Sequence, residues 1–197
     1  MIKVLIETPD QFFKQGLQAI VRDLFMDDYN EEVVFYSDLS PENVWKANLI
    51  FISLLKGERH TCKKELKFRN KGCLFGMIDF GLDKNTENPL CYAGIDYFHR
   101  KATLEEIREE IAYVWNRKKS ISQYPRNYSC RNCNHRKLSC YEKMIATEMV
   151  AGSSPKMIAE KYNVTTKKIY AHTYTMRKKF TIQNNAELIM LLNKITK

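Results

Sequence analysis

Residues 165–180 read Thr-Thr-Lys-Lys-Ile-Tyr-Ala-His-Thr-Tyr-Thr-Met-Arg-Lys-Lys-Phe. Wound as a helix, this stretch puts Ile169, His172, Met176 and Phe180 along one side, the side that has to pack against other helices. Lys167, Ala171, Tyr174 and Lys178 fall on the opposite side, flanked by Tyr170 and Thr175. Small or aromatic groups that can approach base edges, with lysines beside them to neutralise phosphates, are what a DNA-reading helix presents. A second constellation is Cys130-x-x-Cys133-x-His135-x4-Cys140. Its soft ligands would suffice for a tetrahedral zinc ion, although zinc modules usually set their two ligand pairs farther apart. It could instead respond to oxidation, because Arg131, Arg136 and Lys137 would lower a thiol pKa. The expectation is a cysteine-rich linker, with no metal and no cofactor. No nucleophile–base pair, phosphate-cradling glycine loop or paired carboxylate motif is present, and the chain has only seven glycines. It does not read as an enzyme.

The elements that would carry these residues alternate at first between strand and helix. Residues 2–6, 32–36, 49–54 and 73–78 are short strand-like runs, and 97–99 ends a fifth. Helical periodicity covers 11–25 through Phe13, Leu17, Ile20, Val21 and Leu24. A polar helix is expected over 61–69 and a strong one over 103–117, with Thr103 as cap and Glu105 and Glu106 in the first turn. Strands alternating with helices predict a parallel sheet with covering helices. Residues 118–137 are polar, contain a proline and lack apolar periodicity, so they read as a linker.

From 138 onward the pattern is all helical. Ser139 and Glu142 make a capping box for a helix that stops near Gly152. Ser154-Pro155 opens a short helix to about Tyr162. Asn163 tolerates the left-handed turn that follows, and Thr165 caps the next helix. A last helix is expected over 186–195. The resulting division is 1–117, a linker at 118–137, and 138–197. Charge follows it. Residues 126–197 carry 14 Lys and Arg against 4 Asp and Glu, which is 14 − 4 = +10 of a whole-chain net charge of +9. A neutral module joined to one that binds a polyanion has this asymmetry. No apolar run approaches the roughly 20 residues of a bilayer crossing, and residues 1–7 are too short and too soon acidic for a signal peptide. Six cysteines in such a chain are expected as reduced thiols, in a cytoplasmic protein with no membrane partner.

The sequence from Leu138 resembles a known signature. Leu138-Ser139-x-x-Glu142, Ile145, Gly152, Lys156-Met157-Ile158-Ala159, Val164-Thr165, Ile169-x-x-His172 and Lys179-Phe180 are similar to the helix-turn-helix of the LuxR/NarL-FixJ family. Two departures stand out: Cys140 where proline is common, and Phe180 where leucine is usual. The resemblance implies double-stranded DNA as partner. It puts Tyr170, Ala171 and Tyr174 toward the major groove and Lys156, Thr166, Lys167 and Lys178 at phosphates, with Lys168 and Thr175 completing the DNA-binding set. It also implies that the last helix, through Leu188, Leu191 and Leu192, pairs two copies. His172, on the packed side, is expected to be structural.

The first part resembles the receiver domain of response regulators. Val4-Leu5-Ile6 and Phe13-Lys14-Gln15-Gly16-Leu17 look like its first strand and helix, and Gly94-Ile95-Asp96-Tyr97-Phe98 with Ala102-Thr103-x-Glu105-Glu106 like its fifth strand and last helix. Phosphoryl transfer to a receiver needs a carboxylate-held magnesium ion beside an aspartate nucleophile. Here Thr8-Pro9 replaces the acidic pair, between Glu7 and Asp10. Ser53 stands at the acceptor position, and Arg100 where a lysine is expected. The resemblance thus implies an atypical response regulator whose receiver-like domain is not phosphorylated by the ordinary route and serves for pairing. Such degenerate receivers occur in regulators of fimbriae, capsule and other surface structures. The leading expectation is a sequence-specific transcription regulator working as a dimer, a homodimer or a heterodimer with a related regulator. The alternative is an auxiliary subunit that forms a heterodimer with another response regulator. A single-strand binder using the 21 Phe and Tyr residues is disfavoured, because these are spread through the chain rather than gathered in one basic groove.

Overall fold

The computed structural model describes residues 1–70, 72–82, 87–119 and 133–196. They form two compact units. One is Met1–Leu54 with Lys63–Cys133, the other Leu55–Cys62 with Asn134–Lys197. Among the described residues no helix is long and apolar enough to cross a membrane.

In the first unit β1 (Ile2–Glu7), α1 (Gln11–Tyr29), β2 (Val33–Tyr36), α2 (Pro41–Lys46), β3 (Leu49–Ser53), β4 (Cys73–Ile78), β5 (Ile95–His99) and α3 (Leu104–Lys119) follow in order. The sheet has the strand order β2-β1-β3-β4-β5, parallel throughout. Every residue of β3 and β4 is buried, as strands covered on both faces require. That is why both read as unbroken apolar runs. Phe51 and Phe75 stack at 4.7 Å, with Phe98 tilted against both at 6.2 and 6.3 Å. Phe25 of α1 meets Trp115 of α3 edge-on at 5.1 Å. Asp10 caps α1 by accepting from the Phe13 N–H at 3.0 Å. Thr103 and Glu106 form a reciprocal capping box before α3, with 2.7 and 3.2 Å bonds.

Several expectations are corrected. The polar helix expected over 61–69 is a short 3-10 turn at Lys64–Phe68, preceded by another at Glu58–His60. Only Leu66 of Lys64–Phe68 is buried, too little apolar surface to sustain a full helix. α2 has no counterpart among the expected elements, because a six-residue helix with only Val44 buried shows no periodicity. α3 runs past 117 to Lys119, while β5 (Ile95–His99) ends where the fifth strand was expected to end. Of the linker expected over 118–137, residues 120–132 lie outside the described residues. The segment Leu55–Cys62, expected within 1–117, is counted with the second unit.

The second unit is built on α4 (Cys140–Val150), α5 (Pro155–Lys161), α6 (Thr166–Phe180) and α7 (Asn185–Ile195). Each starts on a side-chain cap: Ser139, Ser154, Thr165 and Asn184 accept from the N–H three residues on. Satisfying an orphan donor locally in this way fixes where each helix begins. Their core is Ile145, Ile158, Ile169, Met176, Phe180, Leu188, Leu191 and Leu192, all with zero exposure. The three leucines expected to pair two copies are therefore interior. The exposed residues of α7 are Asn185, Ala186, Met190 and Asn193.

Candidate nucleic-acid interface

α5 and α6 are joined by a tight turn. Asn163 adopts φ 50, a left-handed conformation that asparagine takes at low steric cost. The Val164 N–H then donates to the Ala159 carbonyl at 2.9 Å. Ile158 and Ala159 of α5 are buried with Ile169 of α6, so the two helices form one rigid corner. Behind it, Glu148 accepts from the Tyr162 hydroxyl at 3.2 Å and pairs with Lys161. The Lys161 bond is the largest influence holding the Glu148 carboxyl below its ordinary range.

On α6 the buried residues are Ile169, Thr173, Met176 and Phe180. Thr173 lies on the same arc of the helix but, being polar, is not among the core residues named from the sequence. Its hydroxyl donates to the Ile169 carbonyl at 2.9 Å, which makes a polar side chain tolerable inside. His172, expected on the packed side, is only half-buried, with its ring against Tyr141 at 4.7 Å.

The opposite side is open. Lys167, Lys168, Tyr170, Ala171, Tyr174, Thr175 and Lys178 are exposed and Thr166 is half-buried. Tyr170 and Tyr174 keep 56% and 53% of their surface. The Lys178 ammonium lies 5.6 Å from the centre of the Tyr174 ring and the Arg177 guanidinium 5.9 Å, so one aromatic ring has two cations beside it. Arg177 also donates to the Gln183 carbonyl at 2.8 Å, bracing the turn into α7. Two members of the set are partly engaged within the fold. Lys168 rests over the Tyr141 ring at 5.3 Å, and the Thr175 hydroxyl donates to the Ala171 carbonyl at 3.0 Å. Lys156 is exposed on α5 beside Met157, itself 59% exposed. Met157 belongs to the family signature but is not among the residues expected to touch DNA. Its place next to Lys156 on the first turn of α5 is the signal that could have found it.

Glu142 is buried under α6, bonded to the Ser139 N–H at 2.7 Å and to Lys179. Burial raises its pKa most, but the Lys179 ammonium and the Ser139 amide together overcome this, and the net shift is downward. Of the cysteine constellation, Cys130 lies outside the described residues. Cys133 is buried and Cys140 exposed. Among the described residues no group of three or more His, Cys, Asp or Glu is placed to hold a metal.

In the first unit the acidic residues at the ends of the strands are engaged by cations. Arg100 bonds to Asp10 and lies 3.4 Å from Asp79, with Phe13 under its guanidinium at 4.7 Å. Lys63 lies 3.4 Å from Glu7. The Phe13 amide, followed by the Arg100 guanidinium, holds the Asp10 carboxyl below its ordinary value. Ser53, the last residue of β3, is buried.

Residues 136–192 match the family model of bacterial regulatory proteins of the luxR family. A comparison with curated protein sequences gives no match. Among solved structures, RcsB from Salmonella enterica serovar Typhimurium bound to a promoter in the presence of phosphomimetic BeF3⁻ is similar, at 14% identity and TM-score 0.57 over 98% of both chains. So are two RcsB dimers bound to parallel DNAs (15%, TM-score 0.52) and the complex of the two-component response regulator RcsB with DNA (14%, TM-score 0.50), again over 98% of each chain. At such identities the likeness is one of fold. The corner of α5 and α6 thus lies within the segment that is similar to the luxR family of bacterial regulatory proteins, on a chain with the fold of these response-regulator structures.

Proposed function

We propose that this protein is a sequence-specific, DNA-binding transcription regulator of the cytoplasm, which reads the major groove with α6. Tyr170, Ala171 and Tyr174 approach base edges. Lys156, Thr166, Lys167, Lys168, Thr175 and Lys178 line the flanking phosphates. The observation that carries this reading is the open face of α6: in a luxR-type domain, the aromatic and basic residues keep their surface while the apolar ones are consumed by the core. The backbone contacts supply most of the affinity and the base contacts the discrimination.

In this reading the first unit acts by pairing and needs no phosphorylation. A receiver pocket needs free carboxylates for a metal. Here Glu7, Asp10 and Asp79 face Lys63 and Arg100, so a metal would have to displace two cations before any acceptor chemistry began. Acetyl phosphate is expected to label neither Ser53 nor Asp10, and mass spectrometry of the intact protein reads this directly.

Selection of bound fragments from a genomic DNA pool, with a Lys167→Ala/Tyr174→Ala variant in parallel, tests the main reading. Enrichment of a near-palindromic motif by the wild type alone supports it. If both proteins retain DNA without sequence preference, the reading gives way to an auxiliary subunit that needs a second regulator to select its site.

A further inference from the structure

We infer that residues 55–62 are a built-in brace for α7, and that the second unit binds DNA with this brace seated. The DNA-binding half of the inference rests on the function proposed above. The segment reaches the helical domain from a remote part of the chain, yet its fit there is close. Gly57 has φ +85, and a Cβ at that position would lie 2.9 Å from the Phe180 carbonyl oxygen and 3.0 Å from the Ile182 side chain. Only a glycine lets the backbone approach the end of α6 so nearly. Glu58 is 2% exposed. Its carboxylate accepts from the Leu55 N–H at 2.9 Å and pairs with Lys194 at 2.9 Å. Lys56 pairs with Glu187 at 3.2 Å.

Farther along, the His60 carbonyl accepts from the Arg136 N–H at 2.7 Å. The Thr181 hydroxyl lies 3.3 Å from His60 Nε2. The Arg136 guanidinium returns to Lys179 and Thr181.

Glu187 and Lys194 stand two turns apart on α7 and so share a face. The brace grips both, one in the first turn and one in the last. What it leaves uncovered is equally informative. Ala186, Met190 and Asn193 remain exposed on α7, as do Tyr170 and Tyr174 on α6. A segment placed to inhibit would cover a working face, and this one covers neither. An 11-residue helix holds its shape mainly through packing, and a buried carboxylate tied to its last turn restrains it there.

The test compares the full chain with Gly57→Val, which drives a side chain into the Phe180 carbonyl, and with Glu58→Ala, which removes the carboxylate without a clash. Hydrogen exchange of residues 185–195 is read alongside that of β3 and β4, and affinity for a selected DNA fragment is measured by anisotropy. In both variants the α7 amides are expected to exchange at least about tenfold faster, with β3 and β4 unchanged. DNA affinity is expected to fall at least about tenfold. If Gly57→Val also loses protection in β3 and β4 it has unfolded, and Glu58→Ala alone decides. Unchanged α7 protection overturns the brace. Loosened α7 with tighter DNA binding overturns it too, because the segment would then be a latch. If the wild type selects no DNA sequence, the proposed function fails, while the exchange measurement still decides whether residues 55–62 hold α7.

Discussion

Tyr174 is the side chain on which recognition should depend most visibly. It is half exposed and framed by Lys178 and Arg177. Tyr174→Ala is expected to weaken binding to the selected site by about 1–3 kcal/mol while leaving non-specific binding nearly unchanged. Lys178→Ala should weaken both and reduce the slope of log affinity against log salt by about one. Anisotropy titrations over a salt series separate the two. Glu142 gives a prediction in pH. Its folded-state carboxyl lies below the ordinary 4.5, so the stability it contributes is complete above that value and drains away as pH falls through the lower folded one. Thermal melts across the acid range should show Glu142→Gln losing less stability on acidification than the wild type. Lys167, Tyr170 and Ala171 are legible from the sequence because a helical wheel suffices to find an open face. Thr173 falls on the packed arc of the same wheel but is polar, and what makes it acceptable there is the Ile169 carbonyl that accepts its hydroxyl, a bond that residue type alone does not reveal.

Among elements, those with local punctuation are legible. Ser139 with Glu142, Ser154 with Pro155, and Thr165 each announce a helix within a few residues, and the caps form there. β3 and β4 are equally plain as continuous apolar runs. α2 also opens on a capping signal, Ser40 with Pro41, but six residues with only Val44 buried are too few to show a period, and the 3-10 turns carry no side-chain cap. The turn before α6 offers a test of the backbone. Asn163→Gly should be close to neutral, whereas Asn163→Val should cost about 1–2 kcal/mol, because a β-branched residue resists positive φ. Urea denaturation of both variants measures the difference.

For the whole molecule, the segregation of positive charge into residues 126–197 is enough to mark off a second unit. Nothing in the sequence places Leu55–Cys62 with it, because Gly57 and Glu58 look ordinary until Phe180 and Lys194 stand beside them. The family pattern points to Leu188, Leu191 and Leu192 for pairing, but these are core. Any pairing through α7 falls to its exposed residues, with Met190, 57% exposed, the largest apolar one. Met190→Glu should therefore lower the apparent mass in sedimentation without changing the melting temperature. Leu191→Ala should instead cost about 2–5 kcal/mol of stability.

The split composition of the second unit also bears on how the chain reaches its native state. Helices that begin on their own caps form from near neighbours, and such contacts are made early and fast. Leu55–Cys62, by contrast, leaves the ribosome well before Asn134, and must wait for α6 and α7 to be synthesised before it has anything to grip. Closing so long a loop is slow compared with winding a helix. Refolding is then expected to proceed in two steps: helical signal returns first, and protection of α7 follows as the segment docks. Pulse-labelled hydrogen exchange would resolve the interval between them.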